Sequence, residues 1–219
     1  MGLLALSALI VAGTGFYLFA RTLPNLSVNQ KKVHKDLQIM QEELSDLLRN
    51  PVPLHKKDLD VLSYNIARMD RKKRFTKRVK GVITSIFEEE MVGFFYRRYN
   101  KKDALLFART KDKSFYFWEK GENARVVIAE QVVGSYHYPT GVLKGAQSGQ
   151  PIAEINKRNT DRHTFLIQGR EVASVKLLQE TDLLQRFFDY TAEELSREEQ
   201  AILIALSVFE IVKSQVTPS

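Results

Sequence analysis

The hydrophobic pattern changes character four times along the chain. From Gly2 to Ala20 no residue is charged and most are apolar. Leu26, Val33, Leu37, Met40, Leu44 and Leu47 then recur at steps of three and four, with Gln30 filling the one missing position. That spacing predicts a helix from Leu26 to Arg49, ended by Pro51 and Pro53. Leu59, Leu62, Ile66 and Met69 repeat the helical step and predict a second, short amphipathic helix over Asp58–Met69. From Val79 to Leu178 the period falls to two. Short β-branched and aromatic runs predict strands at Val79–Phe87, Met91–Tyr99, Ala104–Thr110, Phe115–Trp118, Arg125–Ala129, Val132–Tyr138, Ile152–Lys157, Thr164–Gln168 and Glu171–Leu178. A short strand fits Val142–Ala146, a further one fits Leu183–Tyr190, and Gly169-Arg170 marks a tight hairpin.

The last change is at Ser196. With Glu199 it forms a capping box, the signature of a helix start. Ala201 to Val212 follows, apolar on every side except at Ser207 and Glu210. A helix without a polar face must be enclosed all round. About a dozen apolar residues fall short of the roughly 20 that span a bilayer, so this helix is expected at the centre of a domain. Nine or ten short strands exceed what a flat open sheet tolerates without curling. The fold class expected is therefore mainly β with helices (α+β): a closed antiparallel β-barrel wrapped around a hydrophobic C-terminal helix. A transmembrane helix and two amphipathic helices would precede it. The division expected is an anchor at 1–22, an amphipathic or coiled-coil-like helix at 23–50 and a linker with a short helix and basic cluster at 51–74. The barrel would occupy 75–213 with its central helix at 196–213, and a tail 214–219.

Two readings compete for the first segment. Gly2 to Ala20 is just long enough to span a bilayer, and Phe16 and Tyr17 sit where interfacial aromatics belong. A cleaved signal peptide fits less well, because no basic residue precedes the apolar run and the run is long for that purpose. Arg21, Lys31, Lys32 and Lys35 all follow it. As an anchor it would therefore be single-pass, with the N-terminus outside and the C-terminal domain on the cytoplasmic (or matrix or stromal) side. The stripe of Val33, Leu37, Met40, Leu44 and Leu47 also has two readings: packing on its own domain, or contact with a partner helix. The second would mean self-association, or docking into a membrane protein complex, through residues 26–48.

The formal charge of +7 directs attention to anionic partners. Eight of the thirteen positions from Arg68 to Lys80 are basic: Arg68, Arg71, Lys72, Lys73, Arg74, Lys77, Arg78 and Lys80. Arg97 and Arg98, with Lys101 and Lys102, add a second group. Beside an anchor, such a cluster would draw anionic membrane lipid at roughly 1 kcal/mol per cation; the plainer account is a solvated connector. Nucleic acid is a weaker third partner, since no RNA-binding pattern accompanies Phe115, Tyr116, Phe117 and Trp118. There is no cysteine, which excludes disulfides, thiolate catalysis and Cys-ligated zinc. His34, His55, His137 and His163 have no metal-ligand spacing, and no nucleotide, hydrolase or metalloprotease motif occurs. No cofactor, metal or catalytic residue is expected, so the reading is non-enzymatic.

The order of a strand-rich segment, IAEINKR, TFLIQGREVASVKL and then DYTAEELSREEQAILIALSVFEIV resembles the tubby-like superfamily of tubby C-terminal, LURP-one-related and phospholipid scramblase domains. The resemblance covers roughly Val79 to Val212 and is one of arrangement. It implies a barrel of about twelve strands threaded by the C-terminal helix, and engagement of phosphoinositides or other anionic lipids. The chain departs from scramblases in lacking a proline-rich N-terminal region and a palmitoylated cysteine run. Asp189, Glu193, Glu194, Glu198 and Glu199 lie where the proposed scramblase calcium segment would fall, but not at EF-hand spacing. Carboxylates at a helix N-terminus, favoured by its dipole, are the plainer account of them.

Overall fold

The structure, a computed structural model, describes residues 28–72, 77–158, 162–176 and 186–216. Helix α1 (Gln30–Leu47) leads to a single turn, α2 (Lys56–Leu59). Eleven strands follow: β1 (Leu62–Lys72), β2 (Arg78–Ser85), β3 (Glu90–Arg98), β4 (Asp103–Arg109), β5 (Ser114–Lys120), β6 (Asn123–Ile128), β7 (Gln131–His137), β8 (Val142–Gly145), β9 (Pro151–Asn156), β10 (Arg162–Ile167) and β11 (Arg170–Lys176). The two-residue β12 (Tyr190–Thr191) and helix α3 (Arg197–Val216) complete the chain. The strands form one antiparallel sheet in sequence order.

The ten expected strands from Val79–Phe87 to Glu171–Leu178 are found within a few residues of their predicted ends, because period-two patterning and turn residues mark both. The further strand expected at Leu183–Tyr190 lies partly outside the described residues. The β10–β11 hairpin turns on Gln168 and Gly169, both at positive φ (50° and 77°). The mirror-image turn that suits strand twist requires that conformation at both positions, one residue before the expected pair. α3 starts as the capping box predicts: the Ser196 amide donates to Glu199 Oε2 at 2.8 Å, and the Glu199 amide to Ser196 Oγ at 3.2 Å.

Three expectations are corrected. The barrel is not closed: the ladder runs from β1 to β12 and ends there. β12 has only two residues, both paired to β11 at Ala173 and Ser174, so among the described residues no strand is paired along the outer edge of β1. The two edges meet at one isolated bridge, Ser63 to Arg186, at the Phe187 amide donating to the Leu62 carbonyl at 2.6 Å, and at a Thr191 to Asp60 hydrogen bond. The sheet curls over α3 and leaves a seam. Second, Asp58–Met69 is not a helix. Asp58 and Leu59 end α2, and Leu62 to Met69 belong to β1, where cross-strand pairing with β2 overrides the helical spacing. Shifts of register at Leu62/Ile66 and Ala67/Asp70 absorb the mismatched spacing. Third, single-pass anchoring is not supported. Among the described residues no helix is long and apolar enough to cross a membrane, and residues 1–22 lie outside those described. The most apolar helix, α3, carries Arg197, Glu198, Glu199, Glu210 and Lys213 and is sheathed by strands.

That sheath is nearly complete. Every residue of α3 from Ala201 to Phe209 is buried, as are Ile211 and Val212. They share one core with inward residues of β2 to β11 and with Phe187 and Phe188. Phe209 anchors it, with its ring 4.7 Å from Phe117 and 5.5 Å from Tyr136. A second, smaller core lies on the other face of the sheet, where α1 packs on β3, β4 and β5.

Candidate functional site

Three of the eight basic residues from Arg68 to Lys80, namely Arg68, Lys77 and Lys80, are engaged by the fold through a carboxylate or a carbonyl. Arg68 pairs with Glu90, whose carboxylate also accepts the amides of Arg49 and Asn50. Lys80 pairs with Glu43 of α1 at 2.9 Å. Lys77 donates to the Val216 carbonyl at the end of α3, where a cation suits the helix dipole. Arg71 Nε contacts Met69 Sδ at 2.8 Å. Arg78 borders a small hollow with Asp70, Glu43 and Lys80. Lys73 and Arg74 lie outside the described residues, as does the side chain of Lys72. Arg97 is drawn away from any ligand: its Nη1 lies 2.6 Å from Asp36, which also accepts from the Tyr99 hydroxyl at 2.5 Å.

The stripe on α1 has its partner within the same chain. Val33, Met40 and Leu44 are buried, and Leu37 and Leu47 half-buried, against Phe95, Leu105, Phe107 and Trp118. The packed-helix reading accounts for the spacing, and the seam expected of a coiled coil is occupied by the sheet.

A different set of cations is left free. At the β3–β4 corner Arg98, Lys101 and Lys102 surround a concavity of about 150 Å³ whose floor is Tyr96, Tyr138, Glu119 and Lys213. The corner is stiff. Asn100 Oδ1 accepts the amides of Lys102 and Asp103 at 2.7 and 2.8 Å, and its Nδ2 donates to Asp103 Oδ2 at 2.7 Å. The Gly121 amide donates to the Lys102 carbonyl at 2.7 Å, and Tyr138 Oη to the Gly121 carbonyl at 3.0 Å. The Arg98 guanidinium donates only to backbone carbonyls, those of Asn100 at 3.1 Å and Lys101 at 3.4 Å. Those bonds hold it in place without spending its charge. Among the described residues no carboxylate lies within ion-pair distance of Arg98, Lys101 or Lys102.

Lys213 closes the floor. Its Nζ lies 2.8 Å from Glu119 Oε2 and 5.0 Å from the centre of the Tyr138 ring. Glu119 is 4% exposed, and its other oxygen, Oε1, is buried without a hydrogen-bond partner. Burial, then the Glu119 charge, raises the pKa of the Tyr96 hydroxyl; the same two causes raise that of Tyr138. Both phenols therefore stay protonated as donors. Four cations face two carboxylates here, so the concavity carries positive charge with one acceptor oxygen unused.

Of the sequence-predicted residues, only Arg98, Lys101 and Lys102 come together in this way. Tyr96, Glu119, Tyr138 and Lys213 were not foreseen. Lys213 in the last turn of a helix reads as a dipole partner, and nothing in its neighbours points to a strand corner over a hundred residues earlier. The acidic residues before α3 are engaged by the fold: Asp189 accepts from Ser174 Oγ at 2.5 Å, and Glu199 pairs with Arg170 at 2.8 Å. Among the described residues no group of three or more His, Asp or Glu could hold a metal ion. Comparison with models of protein families, with curated proteins and with solved structures found no match for this chain.

Proposed function

We propose that the protein is a non-enzymatic binding module for the headgroup of an anionic phospholipid, held at the β3–β4 corner. The observation that carries this reading is the excess of fixed positive charge in one concavity, on Arg98, Lys101, Lys102 and Lys213. Backbone amides and carbonyls prearrange that corner, so little is lost in ordering it when an anion arrives. The phosphate would sit against Arg98 and the two exposed lysines. The resemblance to tubby-like domains leads to the same class of ligand.

The test is flotation of the protein with vesicles of neutral phosphatidylcholine, with and without phosphatidylglycerol, at low salt. Recovery is expected only with the anionic vesicles. Lys101→Ala and Lys102→Ala should each weaken binding about five-fold, at roughly 1 kcal/mol per surface cation. Equal recovery with both vesicle types, or no loss in the double variant, overturns the reading.

A further inference from the structure

Beyond the last turn of α3 from the basic corner lies a second cavity of about 300 Å³. Its walls are Tyr64 of β1, Ile155 of β9, Phe165 of β10, Val175 of β11 and Phe187. It lies where the sheet fails to close. Among the described residues no ladder joins β1 to β12, and side chains line the gap. The Tyr64 and Phe187 rings stack against each other at 4.9 Å, and Phe187 meets Phe165 at 6.3 Å. The cavity has twice the roughly 150 Å³ that is enough to admit benzene in an apolar core.

Its polar groups are few. The Glu210 carboxylate is closed off: Lys157 Nζ reaches both its oxygens at 2.8 Å, and Tyr136 Oη donates to Oε1 at 2.9 Å. That pair cancels in charge. Ser214 is exposed at the mouth and donates to the Ile211 carbonyl. The Tyr64 hydroxyl and the His163 imidazole line the cavity and have no hydrogen-bond partner among the described residues. Burial and the Lys157 charge depress the His163 pKa, so its ring is neutral, with one donor and one acceptor nitrogen. Other charges near the site are Asp189 beside Tyr64 and Glu210.

We infer that this cavity is a binding site for a small uncharged amphiphile, an aliphatic or aromatic body ending in a hydroxyl or carbonyl. The aromatic and aliphatic walls take the body, and the Tyr64 hydroxyl and His163 ring meet the polar end. A charged end has no counter-ion here, because Glu210 and Lys157 already satisfy each other.

The experiment is titration calorimetry of the full chain with 1-decanol, decanoate and decylammonium, each below its aggregation limit. Saturable one-to-one binding of decanol is expected, with both charged probes at least ten-fold weaker. Ser214→Trp, an exposed position that leaves the core untouched, should block the mouth and weaken decanol at least ten-fold. Tyr64→Phe keeps the wall and removes the hydroxyl, and should weaken decanol about five-fold, one net hydrogen bond. Flotation with anionic vesicles should be unaltered in both variants, which separates this site from the β3–β4 corner. No saturable decanol binding, binding undiminished by Ser214→Trp, or a preference for either charged probe overturns the inference.

Discussion

Replacing Asp36 by Ala tests how α1 is held to the sheet. Asp36 is 5% exposed, and its two oxygens take Arg97 Nη1 at 2.6 Å and the Tyr99 hydroxyl at 2.5 Å. Arg97 is itself enclosed, with its side chain 13% exposed and its Nε buried without a partner. Without the carboxylate, a guanidinium stays trapped between α1 and β3 with no counter-charge. Removing one member of a buried pair costs about 3–5 kcal/mol, mostly the desolvation of the member left behind. Urea denaturation followed by circular dichroism measures it. At a slope of about 2 kcal/mol per molar urea, the midpoint should fall by about 1.5–2.5 M. The paired change Asp36→Leu with Arg97→Met should recover most of the loss, because two apolar side chains of similar size need no partners. A loss below about 1 kcal/mol in Asp36→Ala is what an exposed pair gives, and would refute the claim that this pair is buried and couples α1 to the fold.

Two further predictions concern the fold and its pH response. Gly141 sits at φ +72° with its missing Cβ directed into the Ile155 carbonyl, whereas Gly149, at φ +66°, has open space beside it. Gly149→Ala should therefore cost only the conformational strain of about 1–3 kcal/mol, and Gly141→Ala clearly more, by urea denaturation. His163 resists protonation when folded, so below about pH 6.5 the unfolded chain binds more protons and stability falls with pH. His163→Leu should flatten the urea midpoint between about pH 5 and pH 7, and an unchanged slope there would remove His163 as its cause.

The strands were legible because their signals are local. Alternating side chains and the turn residues between them lie within a few positions of each other, as in the Gln168-Gly169 hairpin. α3 was legible for the same reason: its cap and its unbroken apolar run are contiguous. β1 was not, because Leu59, Leu62, Ile66 and Met69 satisfy the helical step, and pairing with β2 overrides it. The seam was not legible either, because the pairing of a sheet's two edges is a long-range fact that no local pattern carries. The contacts of the basic segment were hidden for a different reason. The acids that neutralise Arg68 and Lys80 stand 22 and 37 positions away, and Asp36 stands 61 from Arg97. A charge run is visible in a sequence, but its neutralisation is a tertiary fact.

Arg97 and Arg98 show how far that goes. Adjacent in sequence, they read as one basic patch. In a strand, however, successive side chains point to opposite faces. Phe95, Arg97 and Tyr99 meet α1, whereas Tyr96 and Arg98 turn toward Lys213 and the basic corner. The pleat therefore places one arginine against α1 and the other at the proposed headgroup site. Arg97→Ala leaves Asp36 buried with only the Tyr99 hydroxyl and should destabilise by about 3 kcal/mol or more. At temperatures where it stays folded, its binding to anionic vesicles should be unchanged. Arg98→Ala loses two bonds to exposed backbone carbonyls and should cost about 1 kcal/mol or less in stability, while weakening vesicle binding about five-fold. Measured side by side, the two variants should separate cleanly. If both lose vesicle binding equally, the two arginines act as one patch, and the division of labour across β3 is wrong.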